Sequence, residues 1–231
     1  MEDLVLRIVL AICLLAGGCG RPLSENERAF TATLHGEALD MGRVRIVDGA
    51  LIGDIRHSRP PRPSLTCRER ILPPEVAPVI VTRTAAFVLF DTMFMSRRYY
   101  RDDLMEAYPE RLTLARAMLL AHEMTHVWQW QNRAVTGYHP IRAAAEHSPR
   151  GDPYLFDLGE RRGFLQFSYE QQGSLVEEYV CCRTLDPEGA RTDRLRALLA
   201  PHFPGLARTT GPEVGTVLVP WGEAPIAGIC S

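Results

Sequence analysis

Hydrophobic and polar positions along this chain repeat with two periods, which together predict an α+β domain. Val44-Arg45-Ile46-Val47 alternates like a strand. The turn signal Asp48-Gly49 and then Leu51-Ile52 follow it. Val79-Ile80-Val81-Thr82 and Ala86-Phe87-Val88-Leu89-Phe90 are rich in β-branched and aromatic residues and predict two further strands. Helical signals lie on either side of these strands. Ser24 and Glu27 have capping-box spacing, and Phe30, Leu34 and Leu39 give a partly apolar helix face up to Met41. A longer helix is predicted over 110–133, with Pro109 suiting its first turn and Gly137 a stop. Its apolar residues Leu112, Ala115, Leu119, Val127 and Trp130 spread over much of the surface, so burial on most sides is expected.

Ser168 and Gln171 repeat the capping-box spacing and open another helix. One more helix is predicted over 191–199, after the turn Asp186-Pro187-Glu188-Gly189, and a strand over 216–219 in a Gly- and Pro-rich tail. Three stretches read as irregular. Residues 57–76, with Pro60-Pro61-Arg62-Pro63, cannot continue a helix or a central strand and are read as a loop. Residues 96–107 predict loop and a short helix, and 138–163 form a long connection suited to one wall of a cleft. What precedes the proline-rich stretch is too small to fold alone, so the expectation is one domain.

Composition refines this picture at two points. The formal net charge is −2, which points to neither a nucleic-acid partner nor a basic membrane-binding surface. All 26 basic residues are arginine, as codon usage of a GC-rich genome would produce. At the N-terminus, Leu4 to Ala16 form an apolar stretch too short to span a bilayer comfortably but suited to a secretory signal. Gly17-Gly18-Cys19 resembles a bacterial lipobox, which predicts a leader over 1–19, a lipid on Cys19, and a mature domain over 20–231 in the cell envelope of a bacterium. Glu2 and Asp3, and Ala16 in place of the usual leucine, depart from that pattern. Export into an oxidising compartment makes Cys67, Cys181, Cys182 and Cys230 candidates for two disulfides. Adjacent Cys181 and Cys182 point about 100° apart on a helix and so reach different partners. The spacing leaves open which takes Cys67 and which takes Cys230.

The chemistry concentrates in Leu119-Leu120-Ala121-His122-Glu123-Met124-Thr125-His126-Val127-Trp128-Gln129. Histidines four apart share one helix face, so His122 and His126 can converge on one Zn²⁺ ion. Glu123 sits beside such an ion without needing to bind it, where a general base belongs. A third protein ligand is then required. Glu170, Ser174, Glu177 and Glu178 share one broad face of the second helix. That face spans more than two turns, so only one of them can serve. Glu170 is favoured, because Gly173 lets the two helices approach closely; Glu177 and Glu178 are the alternatives. Ser174 is a candidate to support a histidine.

With Leu-Ala-His-Glu-Met-Thr-His-Val-Trp-Gln at 120–129 and Glu-Gln-Gln at 170–172, the chain resembles zincins of the glutamate-ligand branch. More narrowly, it is similar to the small bacterial proteins known as Vgr-related, and to the metallopeptidase-like core domain associated with extracellular contractile injection systems. The resemblance implies a zincin-like fold in which Phe87–Phe90 borders the cleft and pairs with an extended peptide. It also implies that His122, His126 and Glu170 hold zinc and that Glu123 is the base. Relatives commonly carry a second acid where this chain has Ser174. The implied activity is zinc-dependent peptide-bond hydrolysis on a peptide or protein substrate, assisted by Tyr179, Tyr154 or His147 as a second electrophile. The alternative is a non-catalytic module, anchored in the envelope, that binds a protein partner.

Overall fold

A computed structural model describes residues 20–50, 56–147, 151–159, 162–207 and 214–231. The proposed leader over 1–19, Cys19 included, and Leu51-Ile52 lie outside the described residues. Among those described, no helix is long and apolar enough to cross a membrane.

The architecture is a mixed α+β domain with small sheets. Helix α1 (Glu25–Ala32) opens on the expected capping box: Ser24 Oγ accepts from the backbone N–H of Glu27, and the Glu27 carboxylate accepts from that of Ser24. It ends sooner than the apolar face suggested, and Gly36–Ala38 is a separate 3-10 turn. Strand β1 (Arg45–Asp48) follows. The proline-rich stretch is more ordered than expected, holding strand β2 (Arg56–Arg59) and a one-turn helix α2 (Cys67–Arg70). β2 is paired antiparallel with β3 (Ile80–Arg83), and this pairing is absent from the local pattern of either strand.

Strand β4 (Ala86–Leu89) matches the sequence reading, but its partner β5 (Thr92–Met95) was not predicted. β5 is the centre of the main sheet, antiparallel to β4 and parallel to β1, in the order β1-β5-β4. Met93 and Met95 are completely buried there. The turn between β4 and β5 carries no glycine or asparagine. Phe90 takes the left-handed conformation at φ 60° and packs, tilted, against Trp130 with ring centroids 4.6 Å apart, which offsets the backbone cost.

No helix forms over 96–107. Strand β6 (Arg111–Thr113) replaces the expected first turn of the long helix, because the tail strand β7 (Thr216–Leu218) pairs with it in parallel. The long helix α3 therefore spans Leu114–Gln131 and is buried on most sides, as its apolar pattern required. A single turn α4 (Arg133–Thr136) closes at Gly137, which is left-handed at φ 66°. The long connection contains an unpredicted helix, α5 (Pro140–Glu146). Helices α6 (Tyr169–Leu185) and α7 (Ala190–Leu199) follow, and α6 starts at the Ser168 capping box. The contact between α3 and α6 is the most extensive between described elements.

Both disulfides form. Cys181 bonds Cys67 and Cys182 bonds Cys230, across sequence separations of 114 and 48 residues. Chain entropy alone assigns each on the order of 4 kcal/mol. The two bridges staple α2 and the C-terminal tail to α6.

His35, after α1, is fully buried against Phe203 at 4.8 Å, and neither ring nitrogen has a hydrogen-bond partner among the described residues. Burial, aided by the positive charge of Arg183, pushes this imidazole down to about 3 from 6.5. An unfolded chain therefore binds a proton at this site that the folded chain refuses, and stability falls as the pH drops from 6.5 toward 3. The loss is about 5 kcal/mol over that window. Urea unfolding of His35→Leu as a function of pH is expected to show a shallower acid slope than the parent chain. Parallel slopes would show that His35 does not drive acid sensitivity.

Candidate metal centre

Helix α3 presents His122 and His126 from one face, and α6 brings Glu170 to meet them. Ligating atoms of the three, all buried, lie within 4.8 Å of one another. His122 Nε2 is 3.2 Å from His126 Nε2 and 3.3 Å from Glu170 Oε2, and His126 Nε2 is 3.4 Å from the same oxygen. This approach depends on Gly173: a Cβ there would sit 2.8 Å from the His122 ring. The N-terminus of α6 is fixed by Glu146 of α5, whose carboxylate accepts from the backbone N–H groups of Tyr169 and Glu170.

Hydrogen bonds define which ring nitrogens face inward. Gln129 donates through Nε2 to Tyr169 O and to Gln172 Oε1, both at 3.0 Å, so its Oε1 is the atom 2.8 Å from His126 Nδ1. Only an N–H at Nδ1 satisfies that contact, which leaves the Nε2 lone pair pointing into the site. Glu177 Oε2 lies 3.4 Å from His122 Nδ1 and acts the same way on the other ring. Two imidazole lone pairs and a carboxylate oxygen thus converge within hydrogen-bond distance, an arrangement that needs a cation or a proton at its centre. This donor set, two nitrogens and one oxygen, fits a zinc-sized ion. Without an ion a proton takes that place. Burial disfavours the charged His122 ring, yet hydrogen bonds to Glu170 and Glu177 outweigh it and carry it up to about 10. Glu170, despite its burial, is held well below the usual carboxylate range by His126 and His122.

Glu123 is buried beside the histidines, and its Oε2 has no partner among the described residues. Burial raises its carboxyl above the ordinary value against the pull of both histidines. Of the candidate electrophiles, two are near. His147 Nε2 is 3.0 Å from Glu170 Oε1, and the Tyr154 ring lies 5.8 Å from those of both His122 and His147. Tyr179 is turned instead toward the Arg183 guanidinium.

Several expectations need correction. Ser174 Oγ is buried with no hydrogen-bond partner among the described residues, so Ser174 supports neither histidine. Glu177 takes that part. Glu178 is directed away, to the Arg191 guanidinium and the backbone N–H of Cys67. Sequence reasoning missed Gln129, Gln172, Glu146 and Tyr138, whose ring is 6.5 Å from that of His126. A signal existed for Gln129, three residues after His126 and so on its helix face. None existed for Glu146 or Tyr138, which reach the site only through the path of α5.

No family model matches the chain. Over 96 residues it is 31% identical to the type VI secretion system spike protein VgrG2b of Pseudomonas aeruginosa. The chain is similar to part of a Vgr spike protein. The match covers 40% of this chain and 9% of the spike protein, so the chain spans under a tenth of its length. Among solved structures, the effector domain of Pseudomonas aeruginosa VgrG2b aligns over 82% of this chain and 85% of its own, at TM-score 0.48 and 22% identity.

Adding a methyl group at Gly173 tests the close approach. Gly173→Ala gains up to about 1 kcal/mol of helix propensity but forces the pinned His122 ring to move, which costs about 1–3 kcal/mol. A net loss is expected in chemical denaturation with a chelator present. A gain would show that the ring yields freely.

Proposed function

We propose that this chain is a zinc-dependent metallopeptidase of zincin-like fold, with a role related to that of type VI secretion effectors. The observation that carries the reading is the convergence of His122, His126 and Glu170 beside a buried, unpartnered Glu123 carboxyl oxygen. A site that served only to stabilise the fold has no use for that carboxylate.

In this reading His122, His126 and Glu170 would hold the ion. When bound, zinc lowers the pKa of a water toward neutrality and polarises a carbonyl. Glu123 accepts a proton from the attacking water at Oε2 and delivers it to the leaving amine. Glu177 and Gln129 keep both Nε2 atoms directed inward throughout. His147 and Tyr154 stand at the margin, where a donor would stabilise the developing oxyanion. Among the described residues no strand pairs with the edge of β4 that faces away from β5, and this edge is proposed to take an extended peptide.

The substrate in this reading is a peptide or protein, and a lipid on Cys19 would anchor the domain over 20–231 in the bacterial envelope. Two disulfides suit that oxidising compartment.

Metal content of the purified mature chain by mass spectrometry, together with peptide cleavage, tests the proposal. About one zinc per chain is expected. Glu170→Ala is expected to lose it. Glu123→Gln is expected to retain it and to cut peptides about 10²–10⁴ times more slowly. Zinc bound without cleavage by the parent chain would leave a non-catalytic envelope module, and no zinc after reconstitution would end the zincin reading.

A further inference from the structure

We infer that Arg68 is a positioning residue for the metal centre, held in place by the Cys67–Cys181 disulfide, so that the competence of the site depends on that bond. The inference rests on the metal reading above and adds to it a residue more than fifty positions from either ligand helix motif.

Glu177 does two things with one oxygen. Its Oε2 faces His122 Nδ1 at 3.4 Å and accepts from Arg68 Nη1 at 3.0 Å. Arg68 is itself oriented by Glu69, whose Oε1 takes both Nη2 and Nε, at 2.8 and 2.9 Å. A chain of contacts thus runs from Arg68 through Glu177 to the imidazole of His122. The Arg68 and Glu177 side chains are each only 15% exposed, so the ion pair is poorly screened. Without Arg68, Glu177 is a buried carboxylate beside Glu170 and Glu123 with no guanidinium to balance it. It would no longer be held against the ring, and His122 would lose its orienting acceptor.

Arg68 stands on weak ground. Helix α2 is one turn long and is followed closely by Pro73-Pro74, so it has no stability of its own. Besides the ion pair with Glu177, three contacts dock it on α6. Glu178 accepts from the backbone N–H of Cys67 at 3.0 Å and of Arg68 at 3.5 Å, and Cys67 is bonded to Cys181. The bond adjoins the ion pair at both ends: Cys67 precedes Arg68, and Cys181 lies one helical turn beyond Glu177. A dithiol reductant would cleave this S–S bond to two thiols and itself become a disulfide. α2 would then be free to leave α6 and take Arg68 with it. A chain made in a reducing compartment would hold its metal weakly until both cysteines were oxidised.

The test measures zinc affinity of the mature chain by competition with a chromophoric chelator. Arg68→Ala and the double variant Cys67→Ser/Cys181→Ser are each expected to weaken zinc binding about 10–100-fold. The combined triple variant is expected to be no weaker than Arg68→Ala, since both changes act through Glu177. Arg68→Lys should recover part of the loss. The matched pair Cys182→Ser/Cys230→Ser removes the other staple, and is expected to lose stability while keeping zinc affinity. Replacing thiols by serine also prevents freed sulfur from capturing metal. If a folded Arg68→Ala, checked by near-ultraviolet circular dichroism, binds zinc within about twofold of the parent, the inference is overturned. Equal losses in the two disulfide variants would also overturn it, because stability alone would then explain them. A parent chain that binds no zinc defeats the metal reading itself, which is a distinguishable result.

Discussion

The contact between the His122 ring and the bare backbone at Gly173 governs the geometry of everything around it. With no side chain at that point, α6 lies against α3 closely enough for a carboxylate on one helix to reach imidazoles on the other. Glu170 and Glu177 are seven residues apart, two helical turns, so they bracket the ring of His122 from either side. One faces the nitrogen that points into the site and the other faces the nitrogen that points out. The same two-turn spacing that made Glu177 a rival ligand makes it the group that orients the ring.

Holding so many charges out of water is costly, and the fold meets that cost with pairing. Glu170 has three histidines around it, Glu177 has Arg68, and Glu178 has Arg191 together with backbone N–H groups. Glu123 Oε2 has no such partner among the described residues. In a site where each neighbouring carboxylate is compensated, that oxygen is the exception. The adjacent cysteines of α6 extend this logic covalently, tying down two segments of little secondary structure, α2 and the tail.

Much of the site could be read from the chain because its parts are local. The spacing of His122, Glu123 and His126 needs only a helix to place all three, and the capping box at Ser168 sets the start of α6 and therefore which residues share a face with Glu170. Strands β1, β3, β4 and β7 and the two major helices follow from local pattern for the same reason. Even the disulfide partners were limited to two arrangements by adjacency of Cys181 and Cys182 on a helix.

What the chain concealed depends on contacts distant in sequence. Strand β5 is built on methionines and a glycine-free turn, and exists because β1 and β4 pair with it on both sides. Residues 111–113 are extended rather than helical because the tail, a hundred residues later, supplies their hydrogen bonds. Helix α5 has too little periodicity to announce itself, yet it delivers Glu146 to the start of α6 and leaves His147 beside Glu170. Local spacing on single helices thus determined the His-Glu-x-x-His motif and the set of acidic residues that could face it. Tertiary packing alone brought Glu170 to the two histidines, turned Glu178 away, and set Glu177 between His122 and Arg68, because a side chain's partner across a helix interface depends on how closely two backbones approach.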